Sequence, residues 1–543
     1  MPVIAVAASA KLIMEFLECS YDKKERVWSG ANPPSFYDFN CSAGNIIYRN
    51  LKNFPSKVCQ VSDIDGRELT NRELLTWSTR LALYFKKIGL RHNDVIGIVA
   101  KNSTYTSAVA VGCFMNCTPF HAVNSVLDKD TIQQIFKVTA PKIIFCDGEV
   151  YEKIHEATRS LKPLFYTLTN HTEGVAKVED LLDPIPNENL YKPEPLVLGG
   201  EQTVAILCSS GTTGVPKCVC MSNYILNCEQ IFVNSEDIIF TNSCLDWMTG
   251  LYFTFLSAST SCKRVITNKP FTPEYMTALV KKYKISFISA APRHVSALIA
   301  CPAATTDNFS SIRSCLVGGG CISLTTLQKL KGLFKNGKLI FGYGMTETSH
   351  MAMNPDDQYP TSVGKLFFGV KMRIVDEAGN NLPPNEVGEV YINTGHVWNG
   401  YYGNPIETKR YRDSDGWFHT GDMGYFDENN MLYIVDRKKD IIKYQGMQYW
   451  PSEIEQVISE LPEVEEVCVV GVYDERHGDA AGAVVVLRQS AKLTKEQVKD
   501  HVRRRLPLDH KQLHAGVIFV DRLPQNANGK TLKKDAQALF KNK

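Results

Sequence analysis

The amino-acid sequence predicts an α/β fold, with one large N-terminal α/β body built of subdomains and a small α+β domain at the C-terminus. Three observations support this prediction. Short apolar runs rich in β-branched residues alternate with segments of helical spacing from about residue 75 onward. The sequence pattern changes near residue 436, where a charged run interrupts this alternation. Finally, the 543 residues leave room for roughly three to four domain-sized units.

The alternating pattern defines the elements of the N-terminal body. Apolar runs of the length found in buried strands occupy residues 95–100, 143–146, 203–208 and 285–290. Between them lie segments such as 274–283, in which apolar residues recur at helical spacing. Strands and helices in alternation predict a mostly parallel sheet that helices cover on both faces.

The charged run at residues 436–440 follows the strand-like segment 432–435 and is interpreted as a hinge. Beyond it, a helix start, two strands and a basic helix are predicted around residues 451–455, 466–472, 483–487 and 503–505. We therefore expect an N-terminal domain at 1–435 and a C-terminal domain at 441–543. From residue 436 onward the chain has 19 Lys and Arg against 16 Asp and Glu, a net charge of +3 that slightly favours anionic ligands.

Composition argues against several classes of protein. Lys and Arg total 60 and Asp and Glu total 58, so the net charge of +2 supplies no overall field to attract nucleic acid or an anionic membrane. The longest apolar stretch, residues 107–115, is too short to span a bilayer, and we expect a soluble protein with no transmembrane segment. Sixteen cysteines occur without Cys-x-x-Cys spacing, which favours reduced, mostly buried thiols over a disulfide framework or a zinc site.

The strongest local motif follows the predicted strand 203–208 and reads Ser209-Ser210-Gly211-Thr212-Thr213-Gly214-Val215-Pro216-Lys217. Its glycines let the backbone approach a ligand, its hydroxyls supply hydrogen-bond donors, and Lys217 adds a positive charge. These are the ingredients of a phosphate-binding loop. The spacing of Gly214 and Lys217 is not that of a Walker A loop. On composition alone, an ordinary surface turn is an equally good interpretation.

Further clusters favour a nucleotide site. Gly342-Tyr343-Gly344-Met345-Thr346-Glu347-Thr348, after the strand-like segment 338–341, combines an aromatic ring, a hydroxyl and a carboxylate suited to Mg²⁺. Upstream, Gly318-Gly319-Gly320 offers flat backbone for a ring. In the cluster 416–422, Asp422 has the chemistry to accept hydrogen bonds from both hydroxyls of a ribose, and Arg437 lies beyond it. The last two clusters are Lys443-Tyr444-Gln445-Gly446 and Asn528-Gly529-Lys530.

In this order, the clusters resemble those of the adenylate-forming superfamily, which includes acyl-CoA synthetases, plant coumarate-CoA ligases, beetle luciferases and peptide-synthetase adenylation domains. The resemblance covers about residues 45–535. It is strongest to the insect luciferase-like and fatty acyl-CoA synthetase branch, over residues 400–405, Asp436-Arg437 and Ile442-Lys443. It implies an AMP-binding N-terminal domain, a mobile C-terminal cap, and an acid-thiol ligase that uses ATP, Mg²⁺ and coenzyme A. The expected substrate is a medium- or long-chain fatty acid, with an aryl acid as the alternative.

The resemblance implies a role for each nucleotide cluster. The motif 209–217 would close over the β- and γ-phosphates of ATP. Tyr343 would stack on adenine opposite Gly318, Gly319 and Gly320, and Thr346 would contact the α-phosphate. Glu347 would bind Mg²⁺, and Asp422 with Arg437 would hold the ribose. The remaining positions assigned to nucleotide binding are Gly342, Gly344, Met345 and Gly446.

Two lysines are assigned to the two half-reactions by the same resemblance. Lys530 would bridge carboxylate and phosphate oxygens during adenylation, and Lys443 would act in thioester formation from the opposite face of the small domain. Because the domain cannot present both lysines at once, it would swing about residues 437–439 between the steps.

Some residues depart from the family pattern. Cys218 replaces the usual Gly and Asn223 the usual His, which leaves open a non-catalytic relative that binds acyl or nucleotide ligands. A position at 218 that required positive φ would strain the loop. Trp247 falls where some fatty acyl-CoA synthetases place a gating residue, although a core tryptophan is an equal alternative. Asp246 lies near the acid that amino-acid adenylation domains use for an α-amino group. Those systems normally continue into a carrier domain and the given sequence does not, so amino-acid activation is expected to rank well below acyl activation. The luciferase His pair is missing, which disfavours a monooxygenase.

Localisation is expected to be cytoplasmic. Relatives in this branch are often peroxisomal, but the last residues are Phe540-Lys541-Asn542-Lys543, and the Ser-Lys-Leu peroxisomal signal is absent from this end.

Overall fold

The computed structural model describes residues 17–32, 38, 40–209, 216–227, 233–320, 322–355, 358–396, 398–476, 478–525 and 531–541. The strands of this part of the chain are β1 (Cys19–Asp22), β2 (Val27–Gly30), β3 (Val58–Ser62), β4 (Glu68–Thr70), β5 (Ile96–Val99), β6 (Phe120–Ala122), β7 (Ile143–Cys146), β8 (Leu164–Thr167), β9 (Thr203–Cys208), β10 (Cys218–Ser222), β11 (Ile238–Thr241), β12 (Lys263–Ile266), β13 (Phe287–Ala290), β14 (Ser314–Gly318), β15 (Lys338–Met345), β16 (Ser349–Asn354), β17 (Lys365–Leu366), β18 (Lys371–Val375), β19 (Gly388–Asn393), β20 (Phe418–Phe426), β21 (Leu432–Arg437), β22 (Ile442–Tyr444), β23 (Met447–Tyr449), β24 (Val464–Asp474), β25 (Gly478–Leu487) and β26 (Gly516–Phe519).

The α-helices of the same residues are α1 (Ala43–Asn53), α2 (Asn71–Lys87), α3 (Thr104–Asn116), α4 (Lys129–Thr139), α5 (Tyr151–Thr158), α6 (Asn223–Asn227), α7 (Met248–Thr260), α8 (Pro273–Tyr283), α9 (Pro292–Ala300), α10 (Leu324–Gly332), α11 (Pro405–Tyr411), α12 (Pro451–Ile458), α13 (Lys495–Arg505) and α14 (Lys533–Ala538). Many begin with a side-chain cap. The Thr70 hydroxyl accepts from the Glu73 amide while Glu73 accepts from the Thr70 amide, which satisfies two otherwise unpaired donors at the start of α2.

Two largely parallel sheets form the core of the N-terminal body. The first has the strand order β10-β9-β6-β5-β7-β8, and the second has the order β17-β16-β15-β14-β13-β11-β12-β3-β4. The central strands of both sheets run parallel, and antiparallel pairs occur at the edges. The predicted α/β class is therefore confirmed. The apolar runs predicted as strands correspond to β5, β7, β9 and β13, and the predicted helix 274–283 corresponds to α8.

Two helices are buried between these layers. Nearly every residue of α3 and most residues of α7 are buried, which matches their largely apolar sequences without a charged residue. The α3 helix packs on α2, and α7 packs on α1. Because both belong to one large hydrophobic cluster, they join the two sheets into a continuous core.

The third sheet is fully antiparallel, in the order β1-β2-β18-β19-β20-β21, and differs from the mostly parallel arrangement predicted for the body. Its strands bury one face only, and the buried residues of β20 alternate strictly with less buried ones. Such strands have the period of two that a half-buried antiparallel sheet requires. The prediction relied on continuous apolar runs and therefore passed over them.

The C-terminal part forms a fourth sheet, β23-β22-β25-β24 with β26 paired to β25, and has hydrophobic clusters of its own. The predicted helix start lies at α12, the two strands in β24 and β25, and the basic residues at the end of α13. In the run 436–440, β21 extends through Arg437 and a single 3₁₀ turn covers Lys438–Asp440.

Two further properties concern the described residues as a set. Fourteen cysteines lie among them, none of which forms a disulfide with another, and ten of the fourteen are buried. No helix in this part of the chain combines the length and the apolar character needed to cross a membrane.

Candidate active site

The carboxyl ends of two parallel strands meet at one edge of the second sheet. Gly318 at the end of β14 is paired in register with Gly342 in β15, and a Cβ on Gly318 would lie 2.9 Å from the Gly342 carbonyl oxygen. Gly319 follows with φ of 86°, a conformation that side chains disfavour. The cluster 342–345 is part of β15 and does not follow the strand, because β15 continues through Met345 before turning into β16. The turn holds Thr346 and Glu347.

Tyr343 connects this edge to the third sheet. Its hydroxyl donates a hydrogen bond of 2.6 Å to Asp422 Oδ2, and Arg437 Nε lies 3.1 Å from Asp422 Oδ1. Asp422 in β20 and Arg437 in β21 are register partners, so the antiparallel pairing itself sets the ion pair. Burial, together with the Asp422 charge, raises the pKa of Tyr343. The structure thus brings together three residues that the sequence assigned to adenosine binding.

Glu347 is buried beside them. Its Oε1 accepts a 2.8 Å hydrogen bond from the Tyr401 hydroxyl, and burial raises the pKa of the carboxyl group. The neighbouring Thr348 hydroxyl is buried and has no hydrogen-bond partner among the described residues. A buried carboxylate next to an unsatisfied hydroxyl is a suitable oxygen donor set for a hard cation such as Mg²⁺, whose remaining ligands would be phosphate oxygens and water.

Lys217, the last residue of the glycine-rich motif, lies over the ring of Tyr401. Its Nζ is 2.5 Å from Glu407 Oε2, 4.8 Å from the centre of the Tyr401 ring and 4.1 Å from the centre of the Tyr411 ring. The ammonium group therefore combines an ion pair with cation–π contacts. Because Tyr401 contacts both Lys217 and Glu347, the lysine of the glycine-rich motif and the carboxylate expected to bind Mg²⁺ lie in one site.

The remaining motif residues are placed as follows. The Ser209 amide donates to the Lys217 carbonyl oxygen at 2.8 Å and closes the neck of the loop. Ser210, Gly211, Thr212, Thr213 and Gly214 lie outside the described residues, as does Lys530. Trp247 immediately precedes α7 and its side chain is exposed, so it is not a core tryptophan.

Lys443 and Gly446 lie in the C-terminal domain. Lys443 is an exposed residue of β22, and Gly446 has φ of 80° in the tight turn between β22 and β23. Neither has a described contact with the nucleotide clusters. The junction is instead held by Lys533, whose Nζ is 3.6 Å from Asp436 and 3.2 Å from Asp440. Lys533 thus bridges the two ends of the predicted hinge.

Both family departures are accommodated without strain. Cys218 begins β10 as a buried strand residue, and no positive φ occurs there, so the steric cost considered for this position does not arise. Asn223 is fully buried. Its Oδ1 accepts from the Ala43 amide at 2.7 Å and its Nδ2 donates to the Cys41 carbonyl at 2.9 Å. Asn223 therefore has a structural role, joining β10 to the start of α1.

Sequence reasoning missed Tyr401, Tyr411 and Glu407 as residues of the site. The segment 400–405 was noted for its resemblance alone, without a role for Tyr401. Glu407 follows Pro405 in the first turn of α11, where an acid is ordinarily interpreted as a helix-stabilising residue. The available signal was the occurrence of these two tyrosines and this acidic residue in the eleven residues that follow Gly400.

The fold and site define an adenylate-forming enzyme architecture, and comparison with known proteins supports it. A family model described as AMP-binding enzyme matches residues 47–402, and one described as AMP-binding enzyme C-terminal domain matches residues 453–530. The first match spans well over half of the chain, and the chain therefore belongs to the AMP-binding enzyme family. The resemblance to adenylate-forming enzymes is thereby confirmed.

Individual relatives agree over nearly the whole length. The 4-coumarate:CoA ligase 1 of Petunia hybrida is 27% identical over 514 residues, covering 90% of this chain and 92% of the relative. Among solved structures, ATP-bound MatB from Rhodopseudomonas palustris has a TM-score of 0.82 at 24% identity, covering 92% of this chain and 99% of its own. The anthranilate CoA ligase AuaEII in complex with anthranoyl-AMP has a TM-score of 0.82 at 20% identity, covering 93% and 98%. At these identities the two structures indicate the fold alone.

Proposed function

We propose that this protein is an ATP-dependent acid-thiol ligase that converts a carboxylic acid to acyl-AMP and then to acyl-CoA. The observation that carries the proposal is the convergence of Lys217, Glu347, Tyr343, Asp422 and Arg437 around Tyr401 and the edge of the second sheet. The curated relative named above is a CoA ligase by name, in agreement with this activity.

The proposed chemistry needs no covalent nucleophile from the enzyme. A carboxylate is already ionised near neutral pH, so adenylation needs charge neutralisation on the triphosphate and alignment of the carboxylate with the α-phosphorus. In this proposal the Tyr343 ring stacks on adenine, and Asp422 accepts hydrogen bonds from the ribose. Thr346 contacts the α-phosphate, and Lys217 moves from Glu407 to the outer phosphates.

Glu347 is proposed to hold Mg²⁺, which when bound neutralises phosphate charge. The Tyr401 hydroxyl keeps the Glu347 carboxylate oriented by donating to Oε1, which leaves Oε2 to face a cation. Because burial alone favours the protonated acid, a bound cation would shift Glu347 toward its charged form.

The second half-reaction is proposed to use a domain rearrangement. The proposed N-terminal domain ends at residue 435, the hinge covers 436–440, and the C-terminal cap covers 441–543. Lys530 would serve adenylation and Lys443 thioester formation, and Lys533 would hold the hinge through Asp436 and Asp440 in the arrangement described here.

The acid is proposed to be apolar, and two classes compete. A medium- or long-chain fatty acid is the class first expected, and exposed Trp247 beside α7 is available as a gate for an alkyl chain. An aryl acid of the coumarate type is suggested by the names of relatives. Asn223 and Cys218 both have structural explanations, so neither supports the non-catalytic alternative.

The test is acid-dependent exchange of pyrophosphate into ATP, followed by mass-spectrometric detection of acyl-CoA. The panel contains saturated fatty acids of increasing length, cinnamate-type aryl acids and several amino acids. We expect exchange and acyl-CoA with one apolar class. Binding of ATP without exchange for any acid in the panel would contradict the ligase and favour a binding protein.

A matched variant checks the site. Asp422→Asn removes the charge that pairs with Arg437 and accepts from Tyr343, and hydrogen bonds to a charged group are worth about 1.5–3 kcal/mol. We expect the KM for ATP to rise about tenfold or more, while Asp415→Asn, in an exposed turn nearby, leaves it unchanged.

A further inference from the structure

Two cysteines face each other across the neck of the glycine-rich loop. Cys208 is the last residue of β9 and Cys218 the first residue of β10, and the two are direct register partners in the antiparallel pair. The next residue pair along the hairpin, Ser209 and Lys217, is joined by a hydrogen bond from the Ser209 amide to the Lys217 carbonyl oxygen. The phosphate-loop motif therefore begins and ends directly beside this cysteine pair.

The strand register places the two side chains opposite each other. Cross-strand partners have Cβ atoms about 4.5–5.5 Å apart, and a disulfide needs about 3.5–4.5 Å, so closure requires only a small shift at the end of a hairpin. The neighbouring Cys218 thiol, together with burial, raises the pKa of Cys208, so the thiolate form that reacts with an oxidant is favoured by raised pH. Cys208 Sγ also lies 3.4 Å from His121 Nε2. Cys208 is only partly buried, which gives a small oxidant access to one member of the pair.

We propose that Cys208 and Cys218 form a redox-modification site that a hydroperoxide converts to an intramolecular disulfide. One thiolate attacks the outer oxygen of the hydroperoxide, breaking the O–O bond to give a sulfenic acid and releasing an alcohol, or water from hydrogen peroxide. The second thiol attacks the sulfenic sulfur, forming the S–S bond and expelling water. The two sulfur atoms together lose two electrons, which reduce the peroxide, and the two thiol protons leave in the products.

Closure of the pair fixes the neck of the loop. A disulfide restricts the conformations of the segment that it closes, and here that segment is the phosphate-loop motif 209–217. Lys217 is covalently adjacent to Cys218, so its movement from Glu407 toward a phosphate is restricted as well. We therefore expect the disulfide form to bind ATP more weakly. This consequence rests on the proposed function, whereas formation of the bond does not.

Cys220 supplies a matched control. It lies two residues further along β10, is equally buried, and points to the same face of the strand as Cys218. Its register partner is Ile206, so it has no thiol directly opposite. Oxidation directed by the cross-strand geometry should involve Cys218 and spare Cys220.

The bond is tested on the full chain by graded treatment with hydrogen peroxide, alkylation of remaining thiols and tryptic mapping. Trypsin cleaves after Lys217, so the disulfide links two otherwise separate peptides. We expect this linked pair before other cysteines react, and its loss on treatment with dithiothreitol. Cys208→Ser and Cys218→Ser should abolish it, and Cys220→Ser should retain it. Oxidation of other cysteines without the linked pair, or overoxidation of Cys208 to a sulfinic acid, would overturn the assignment.

The consequence is tested by calorimetric titration of ATP into reduced and oxidised protein. We expect at least a fivefold loss of affinity on oxidation of the wild type and of Cys220→Ser, reversed by dithiothreitol, and no loss in Cys208→Ser. Thermal unfolding of each variant tests for a folding defect. Cys208→Ala is measured as a second variant at the same position. Unchanged ATP affinity in the linked form would overturn the effect on the loop. Failure of the reduced protein to bind ATP would contradict the proposed function and leave the mapped bond intact.

Discussion

The side chain of Lys217 is held in place by an ion pair and by two aromatic rings. Its ammonium group is close to the Glu407 carboxylate and to the rings of Tyr401 and Tyr411, and the pKa of Glu407 is lowered by its hydrogen bond from Lys217. These contacts compete with any phosphate for the same charge. Glu407 is therefore a positioning residue whose removal should affect nucleotide affinity.

We predict that Glu407→Gln lowers the KM for ATP by up to about fivefold. The amide keeps the size of the side chain but removes the charge that competes with phosphate, and partly exposed ion pairs are worth up to about 1 kcal/mol. The measurement is the initial rate of pyrophosphate release at varied ATP.

Lys217→Met should have the opposite effect and raise the KM, because the cation itself is lost. An unchanged KM in Glu407→Gln, together with a raised KM in Lys217→Met, would mean that the ion pair does not compete with the nucleotide.

At the scale of elements, the connection between β10 and α1 depends on one side chain. Asn223 makes a two-point contact with the Ala43 amide and the Cys41 carbonyl, next to the Ser42 hydroxyl that caps α1. The β9–β10 hairpin carries the glycine-rich motif, so this contact fixes the base of the motif to the core helices.

We predict that Asn223→Ala destabilises the fold by about 2 kcal/mol, because a buried donor and acceptor lose their partners. The midpoint of urea denaturation, followed by tryptophan fluorescence, should fall. Asn53→Ala, at the exposed end of the same helix α1, should change stability by less than about 0.5 kcal/mol. Equal midpoints for the two variants would show that the Asn223 contacts contribute nothing.

The helix α12 provides a second test at this scale. Burial raises the pKa of Glu455 to about 7, opposed by the charge of Lys533, while Glu455 Oε1 accepts from the Val469 amide. The folded form therefore binds a proton more tightly than the unfolded chain does. Its contribution to stability is fully present below the unfolded pKa near 4.5 and is lost as pH rises through about 7.

We predict that the stability of the wild type relative to Glu455→Gln falls by up to about 3 kcal/mol between pH 4.5 and 7.5. Denaturation midpoints at half-unit pH steps measure the difference. A constant difference across this range would mean that Glu455 has an ordinary pKa in the folded protein.

At the scale of the whole molecule, a small domain meets the large one at Lys533, Asp436 and Asp440, beside the Arg437 that pairs with Asp422. Among the described residues, the exposed Lys443 makes no hydrogen bond or ion pair with Tyr343, Asp422 or Arg437. This separation agrees with the proposed two-step reaction, in which the C-terminal domain changes position between the steps.

We predict that Lys530→Ala lowers the rate of adenylation at least a hundredfold, since a positioned charge at a transition state is worth several kcal/mol. Its rate of acyl-CoA formation from supplied acyl-AMP should be retained. Lys443→Ala should do the reverse. Single-turnover assays of each half-reaction measure the two rates, with Lys495→Ala, in the exposed first turn of α13, as a control. Equal losses in both half-reactions for either variant would contradict the division of roles.

Much of the fold could be predicted because local pattern fixes local structure. The strands β5, β7, β9 and β13 are buried on both faces, and the continuous apolar runs in their sequences indicate this burial. The antiparallel third sheet was missed because half-buried strands such as β20 have weaker patterns. Likewise, the nucleotide motifs were found as separate clusters, while Tyr401 and Glu407 carried no signal strong enough to assign them a role.

The sequence by itself determined the chemical inventory of this protein: glycine-rich turns, a tyrosine, carboxylates and lysines in the order of an adenylate-forming enzyme. Only the tertiary structure decided their partners. Tyr343 reaches Asp422, Glu347 meets Tyr401, and Lys217 meets Glu407 across separations of 79, 54 and 190 residues. The pairing of Cys208 with Cys218 is likewise a matter of strand register. Short-range preferences shape each segment, but the partner that satisfies a buried polar group depends on how the sheets pack against one another.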